Sequence, residues 1–165
     1  MLWFISCRPF RDSIRPVIEK CQDADVIVIG NPVYFGYPAG SVHSLVERLL
    51  FPWIPMQGNQ MKVPHKPVQT ALIYTMNCPE ELSHKVGYDT LLGFTGTEMG
   101  RLYGYNEILC SYEILQFKDH SRYDMNLFSE EQRKERHETQ FPVDLKKAYD
   151  LGSRLSQQAK KTQNI

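Results

Sequence analysis

The stretch from Val26 to Gly40 constrains the fold more than any other. Val26-Ile27-Val28-Ile29 places four β-branched apolar residues in succession, followed by Gly30-Asn31-Pro32-Val33-Tyr34-Phe35-Gly36-Tyr37-Pro38-Ala39-Gly40. An apolar run without alternation, bounded by turn residues, predicts a strand covered on both faces, as in the parallel sheet of an α/β protein. Ligands of such sheets bind in the crevice at the carboxyl ends of the strands, which is where this loop falls.

The flanking sequence supports that class. Ile14, Val17, Ile18 and Cys21 recur at helical spacing, with Asp12 or Ser13 as a cap and Asp23-Ala24-Asp25 closing the turn. Val42, Leu45, Val46, Leu49 and Leu50 predict a second amphipathic helix, with Ser41 as its cap and Phe51-Pro52 as its stop. Residues 52–67 are rich in proline and read as a long loop. Its Trp53-Ile54-Pro55-Met56 segment either folds back over the core or forms a subunit contact. Val68 to Met76 is a second buried strand, broken by Asn77-Cys78-Pro79.

From Lys85 to Tyr103 the positions Tyr88, Leu91, Leu92, Thr95, Met99 and Leu102 share a helical face. Gly93, Gly96 and Gly100 weaken that helix by about 1 kcal/mol each relative to alanine. Ile108 to Phe117 reads as a third strand, entered through a Gly104-Tyr105-Asn106 turn. Ser129-Glu130-Glu131-Gln132 has the form of a capping box, and Arg133-Lys134-Glu135-Arg136 reads as a solvated helix face. A last helix starts near Pro142, buries Ala148, Leu151, Leu155 and Ala159, and frays from Lys160. Helices alternating with strands imply right-handed crossovers within one domain spanning residues 1–165, of which 1–11 are an atypical leading segment.

Composition excludes several function classes. The 165 residues carry 19 basic and 19 acidic side chains, so no net field favours nucleic acid or an anionic membrane. Met1-Leu2-Trp3-Phe4-Ile5 is apolar but too short to span a bilayer and lacks a basic flank, which makes the cytosol the expected compartment. Cys7, Cys21, Cys78 and Cys110 show no C-x-x-C spacing, and three of them lie in or beside apolar runs, as buried free thiols do. His43, His65, His84, His120 and His137 show no metal-ligand spacing, and no histidine is marked as a base for Cys78, so neither a metal site nor a thiol nucleophile is expected. Neither a Walker-type P-loop nor GxGxxG occurs.

The candidate site therefore comprises the two loops that follow the first two strands. Asn31 and Thr75 can hydrogen-bond a polar heterocycle, Tyr34 and Phe35 offer aromatic faces, and Gly36 and Gly40 permit close backbone approach. Pro32 and Pro38 stiffen the first loop. The combination suits a flat ring, and it equally describes a turn whose aromatics cap the sheet.

The segment Asp23–Gly36, read with the helix ending Val46-Glu47-Arg48-Leu49-Leu50, resembles the NADPH-dependent FMN reductase family, in its multimeric-flavodoxin and iron–sulfur-flavoprotein-like branch. Thr70–Asn77, Gly87-Tyr88-Asp89, Tyr103–Glu107 and Gln140–Asp144 continue the similarity. The resemblance implies a flavodoxin-like three-layer α/β/α fold, FMN as cofactor, and electron transfer from NAD(P)H to a small-molecule acceptor by a dimer or tetramer. It also implies that Asn31, Pro32, Val33, Tyr34, Phe35 and Gly36 border the isoalloxazine on one side, with Thr75, Met76 and Asn77 on the other. No side chain need serve as acid or base.

Members of the family begin with a strand, a Gly-Ser-Pro-Arg-like phosphate loop at a helix N-terminus, and a second strand. This sequence begins at the position just before their second helix. A sheet truncated at that point is expected to expose Val26–Ile29 at its edge, with Leu2–Ile5 available as a substitute strand, and to hold FMN weakly. Each lost charge-assisted hydrogen bond costs roughly 1.5–3 kcal/mol, where about 1.4 kcal/mol is tenfold in affinity. Iron–sulfur members carry a compact cysteine cluster to which only Cys7 could correspond, so no cluster is expected. The alternatives to a reductase are a non-catalytic flavodoxin-like remnant acting as an interaction module, and an electron carrier without nicotinamide activity.

Overall fold

A computed structural model describes residues 12–51, 66–117 and 128–163. The expectations for residues 1–11 and for Trp53-Ile54-Pro55-Met56 lie outside the described residues. The elements are α1 (Arg15–Asp23), β1 (Val26–Tyr34), β2 (Tyr37–Pro38), α2 (Gly40–Leu50), β3 (Val68–Thr75), α3 (Glu80–Lys85), α4 (Tyr88–Tyr103), β4 (Gly104–Ser111), α5 (Glu130–Thr139) and α6 (Phe141–Gln163).

The sheet runs β2-β1-β3-β4. β1 and β3 pair in parallel from Val26↔Gln69 to Pro32↔Thr75, and β3 and β4 from Val68↔Gly104 to Thr75↔Ser111. One face carries α1, α2 and α4, whose Ile18, Val46, Leu49, Leu92, Met99 and Leu102 close over Ile27, Ile29, Leu72 and Tyr74. On the other face, Leu151 and Leu155 of α6 pack on Ala71, with Ile73, Tyr105 and Leu109 around them. This is an α/β fold of flavodoxin-like type, with helices on both faces of a mostly parallel sheet.

β1 is not covered on both faces as its apolar run predicts. Its Ile27 and Ile29 are buried, but Val28 is 48% exposed and Gly30 is also open. The reason is placement: α6 lies mainly over β3 and β4, meets β1 at Val26, and leaves Val28 and Gly30 open. Among the described residues the first part of the strand, before its pairing with β2, is also an edge. Asp25 O accepts from Gln69 N on the β3 side, whereas Pro32 O accepts from Ala39 N on the opposite side. Strand alternation therefore turns the main-chain groups of Val26, Val28 and Gly30 away from β3. Among the described residues, no strand pairs with them.

Six boundaries differ from the sequence reading. β1 runs on to Tyr34, past the expected end at Ile29, and β4 ends at Ser111, not Phe117. Ser41 lies within the first turn of α2 and does not cap it; Ala39 precedes the helix, and its N–H is held by Asn31 Oδ1 from β1. The helix expected from Lys85 begins instead at Tyr88, after a short separate α3, because Gly87 adopts a left-handed conformation (φ +81°) between them. β4 starts at Gly104, not Ile108, since Gly104 (φ +105°) closes α4 by donating to Gly100 O and is itself the first strand residue. α6 continues to Gln163, past the expected fraying point, with Ala159 still buried in its final turns.

Candidate functional site

The register of β1 and β3 sets Pro32 beside Thr75, so the two loops singled out from the sequence leave the sheet as neighbours at its carboxyl edge. The first is a tight hairpin. Tyr34 pairs with Tyr37, and the two residues between them both have positive φ, Phe35 at +53° and Gly36 at +83°. Two such residues joining antiparallel strands form a type I′ turn, whose twist matches that of the strands. Gly36 is required twice over, because a Cβ there would lie 2.7 Å from Cε1 of Tyr88 at the start of α4.

Phe35 is the strained member. An aromatic residue in the left-handed region costs about 1–2 kcal/mol, and Phe35 is 97% exposed, so burial does not offset the strain. Phe35→Asn, which tolerates this conformation, is therefore expected to raise stability by about 1 kcal/mol. Urea denaturation monitored by circular dichroism checks this, and a loss of stability would show that the ring makes a contact that its exposure denies.

Asn31 ends the buried face of β1 and is only 5% exposed. Its Oδ1 accepts from Ala39 N, but its Nδ2 has no partner among the described residues. An unsatisfied buried donor costs about 1–3 kcal/mol, which an acceptor brought in beneath the hairpin would offset.

The second loop is occupied differently. Met76 buries its side chain in the core, donates its N–H to Ser111 O and accepts from Ile114 N, so it extends the β3–β4 ladder. The Asn77 side chain is engaged at both ends. Its Oδ1 accepts from Arg133 Nε at 2.7 Å, and its Nδ2 donates to Gln116 Oε1 at 3.4 Å. Its carbonyl accepts from Arg133 Nη2 at 3.0 Å. Tyr34, Phe35 and Thr75 keep partly open side chains at this edge.

Arg133 corrects the sequence reading most sharply. In place of a solvated face, α5 presents an arginine that is 4% exposed, paired with Glu113 and set over the Phe128 ring at 4.5 Å from its centroid. Arg136 is the next link, 3.6 Å from Glu113 and 3.3 Å from Asp144. Asp144, 6% exposed, accepts from Ser111 Oγ at 2.8 Å and from Gln140 Nε2 at 3.3 Å. Burial pushes its carboxyl up, but the Ser111 and Gln140 hydrogen bonds and the Arg136 charge outweigh that and hold it below the ordinary carboxylate range. The sequence does contain a signal for this arrangement. Glu130–Thr139 includes no apolar residue, so any face that α5 buries has to be polar.

Glu113, Arg136, Gln140 and Asp144 line a polar cavity of about 590 Å³ between the end of β4 and α5–α6. The nearby thiols offer no activated nucleophile. Burial raises Cys110, and it raises Cys78 despite the pull of the Arg133 charge. No cluster of three or more His, Cys, Asp or Glu side chains fit to hold a metal exists among the described residues. Nor is any described helix long and apolar enough to cross a membrane.

Fold and loops together define an α/β protein in which two loops leave the carboxyl edge of a flavodoxin-like sheet side by side. No protein-family model matches the chain. A stretch of 38 residues is 53% identical to part of the iron-sulfur flavoprotein of Archaeoglobus fulgidus. The match covers 23% of this chain and 19% of that protein's length.

Proposed function

We propose that the chain is a flavoprotein in which the isoalloxazine ring of FMN lies at the crevice between the hairpin after β1 and the loop after β3, accepting electrons from NAD(P)H and passing them to a small-molecule acceptor. The observation that carries this reading is the pairing of Pro32 with Thr75, which brings an exposed aromatic hairpin beside a second loop at the carboxyl edge of the sheet. The match to an iron-sulfur flavoprotein supports it.

The residues present suit a flavin ring. Tyr34 and Phe35 supply a wall, and the Asn31 Nδ2 is a donor of the kind a ring carbonyl would satisfy once the hairpin shifts. Thr75 offers a hydroxyl from the neighbouring strand. Asn31, Pro32, Val33, Tyr34, Phe35 and Gly36 with Thr75, Met76 and Asn77 thus divide into groups that face a ring and groups that hold those in place. Bound FMN would supply the electron chemistry; the chain's part is to orient the ring and limit water at its faces. We assign the protein to the cytosol and to a homo-oligomer on the same reading.

Titrating FMN into the full chain tests this directly. Quenching of flavin fluorescence that saturates, with NAD(P)H oxidation in the presence of a quinone or dye, is expected. Absence of quenching at high micromolar protein would overturn it. Flavin binding without NAD(P)H oxidation would make the protein an electron carrier.

The outer edge of β1 from Val26 to Gly30, with which no strand pairs among the described residues, favours a second reading, a non-catalytic module that recruits an extended segment of another chain. Exposed strand edges present unpaired main-chain groups of the kind used in strand addition.

A further inference from the structure

We infer that Arg133 is a positioning residue: from α5 it locks the loop after β3 to the loop after β4, and so sets the height of the crevice floor on which a flat ring would rest. The inference rests on the flavin reading for its functional half, while the lock itself stands on geometry alone.

The guanidinium spends its donors on both loops at once. Nε and Nη2 reach the Oδ1 and the main-chain carbonyl of Asn77 at 2.7 and 3.0 Å, and Nη1 pairs with Glu113. A planar fork can fill two such sites in fixed relative orientation, which a lysine ammonium cannot. The partners lie far apart in sequence, 56 and 20 residues from Arg133, so no local structure would hold them in this relation.

Two further features show that the lock bears on conformation and not merely on burial. Glu113 has a positive φ of +53°, a conformation that a non-glycine residue keeps only when its surroundings impose it, and its carboxylate lies between Arg133 and Arg136. The main chain beside it continues the ladder, with Ile114 N donating to Met76 O and Met76 N donating to Ser111 O. Thr75, the residue of β3 that sits beside Pro32, directly precedes the locked pair Met76 and Asn77. A change at Arg133 therefore has a short covalent path to the crevice, although Arg133 itself belongs to a helix on the far side of the loop.

The test uses the full chain carrying Arg133→Met or Arg133→Lys. Without ligand, amide hydrogen exchange at Met76 and Ile114 is expected to quicken at least tenfold in R133M, with the amides of Ile27 and Ile29 unchanged. Lysine should restore only part of the protection. Unchanged exchange at Met76 and Ile114 would overturn the lock, whatever the chain does with flavin. If R133M fails to fold, R133K is read alone, and wild-type exchange rates in it would likewise overturn the lock.

With FMN bound, the midpoint potential and visible spectrum of the flavin are expected to shift in the variant. Quickened exchange with an unaltered potential and spectrum would overturn the positioning of the ring. Failure of the wild-type chain to take up FMN would instead remove the flavin reading, and the exchange experiment would still decide the lock.

Discussion

Asp144→Ala is expected to destabilise the protein by about 3–5 kcal/mol, the usual cost of removing one partner from a buried charge pair. For a chain of this size that corresponds to a fall in melting temperature of roughly 10 °C. Truncation leaves Ser111 Oγ without its acceptor and deprives Arg136 of the nearer of its two carboxylates. Calorimetry at neutral pH measures the loss, and a change below about 1 kcal/mol would mean that the network rearranges around the gap.

The same carboxylate gives the stability a definite pH dependence. Its folded pKa is depressed, so its contribution is fully present above the unfolded value of about 3.9. That contribution is lost as the pH falls through the lower folded pKa. Acid denaturation of the wild type should accordingly steepen below about pH 4, and the D144A variant should show a flatter profile there.

The second large effect is at the hairpin. Gly36→Val places a β-branched residue at φ +83° and drives its Cβ against the Tyr88 ring, where even the first carbon lies 2.7 Å from Cε1. Backbone strain and overpacking together are expected to cost about 2–4 kcal/mol. The loss is local in origin, so the pairing of Tyr34 with Tyr37 should weaken before the parallel ladders do. Nuclear magnetic resonance of the Tyr37 and Ala39 amides would show it. Intact hairpin signals with an unchanged melting temperature would rule out the Tyr88 contact as a constraint.

Much of the fold was legible because the strands that matter are written in β-branched and apolar runs. Val26–Ile29 and Val68–Met76 announce β1 and β3 by composition alone, and the helical spacing from Val42 to Leu50 announces α2. The misplaced boundaries share one cause, that a local signal had two readings. Gly104 reads as a turn residue, yet its left-handed conformation ends α4 and starts β4 without any turn between. Ser41 is a good cap by type, but the group that fixes the start of α2 comes from Asn31, across the loop.

The candidate site was legible in its hairpin half and hidden in its other half. Tyr34, Phe35 and Gly36 declare themselves through turn chemistry, which is local. Arg133 sits in a charge run that looks like any solvated helix face, and two of its partners, Asn77 and Glu113, lie 56 and 20 residues away. A tertiary partner at that separation leaves no mark on the run itself. The family resemblance sets Met76 and Asn77 beside the ring; in the structure the β3–β4 ladder engages the main chain of the one, and Arg133 and Gln116 engage the side chain of the other.

β3 is the strand that holds both parallel ladders, with β1 on one side and β4 on the other. Neither ladder can form before β3 is extended, and each joins residues far apart in the chain. That order of events has a kinetic consequence. Trimming Leu72, buried at the centre of β3, should slow folding itself, whereas trimming Ile29 or Ile108 on the flanking strands should act mainly by hastening unfolding. The middle of the sheet would then set how quickly the protein is made, and its margins how long it lasts.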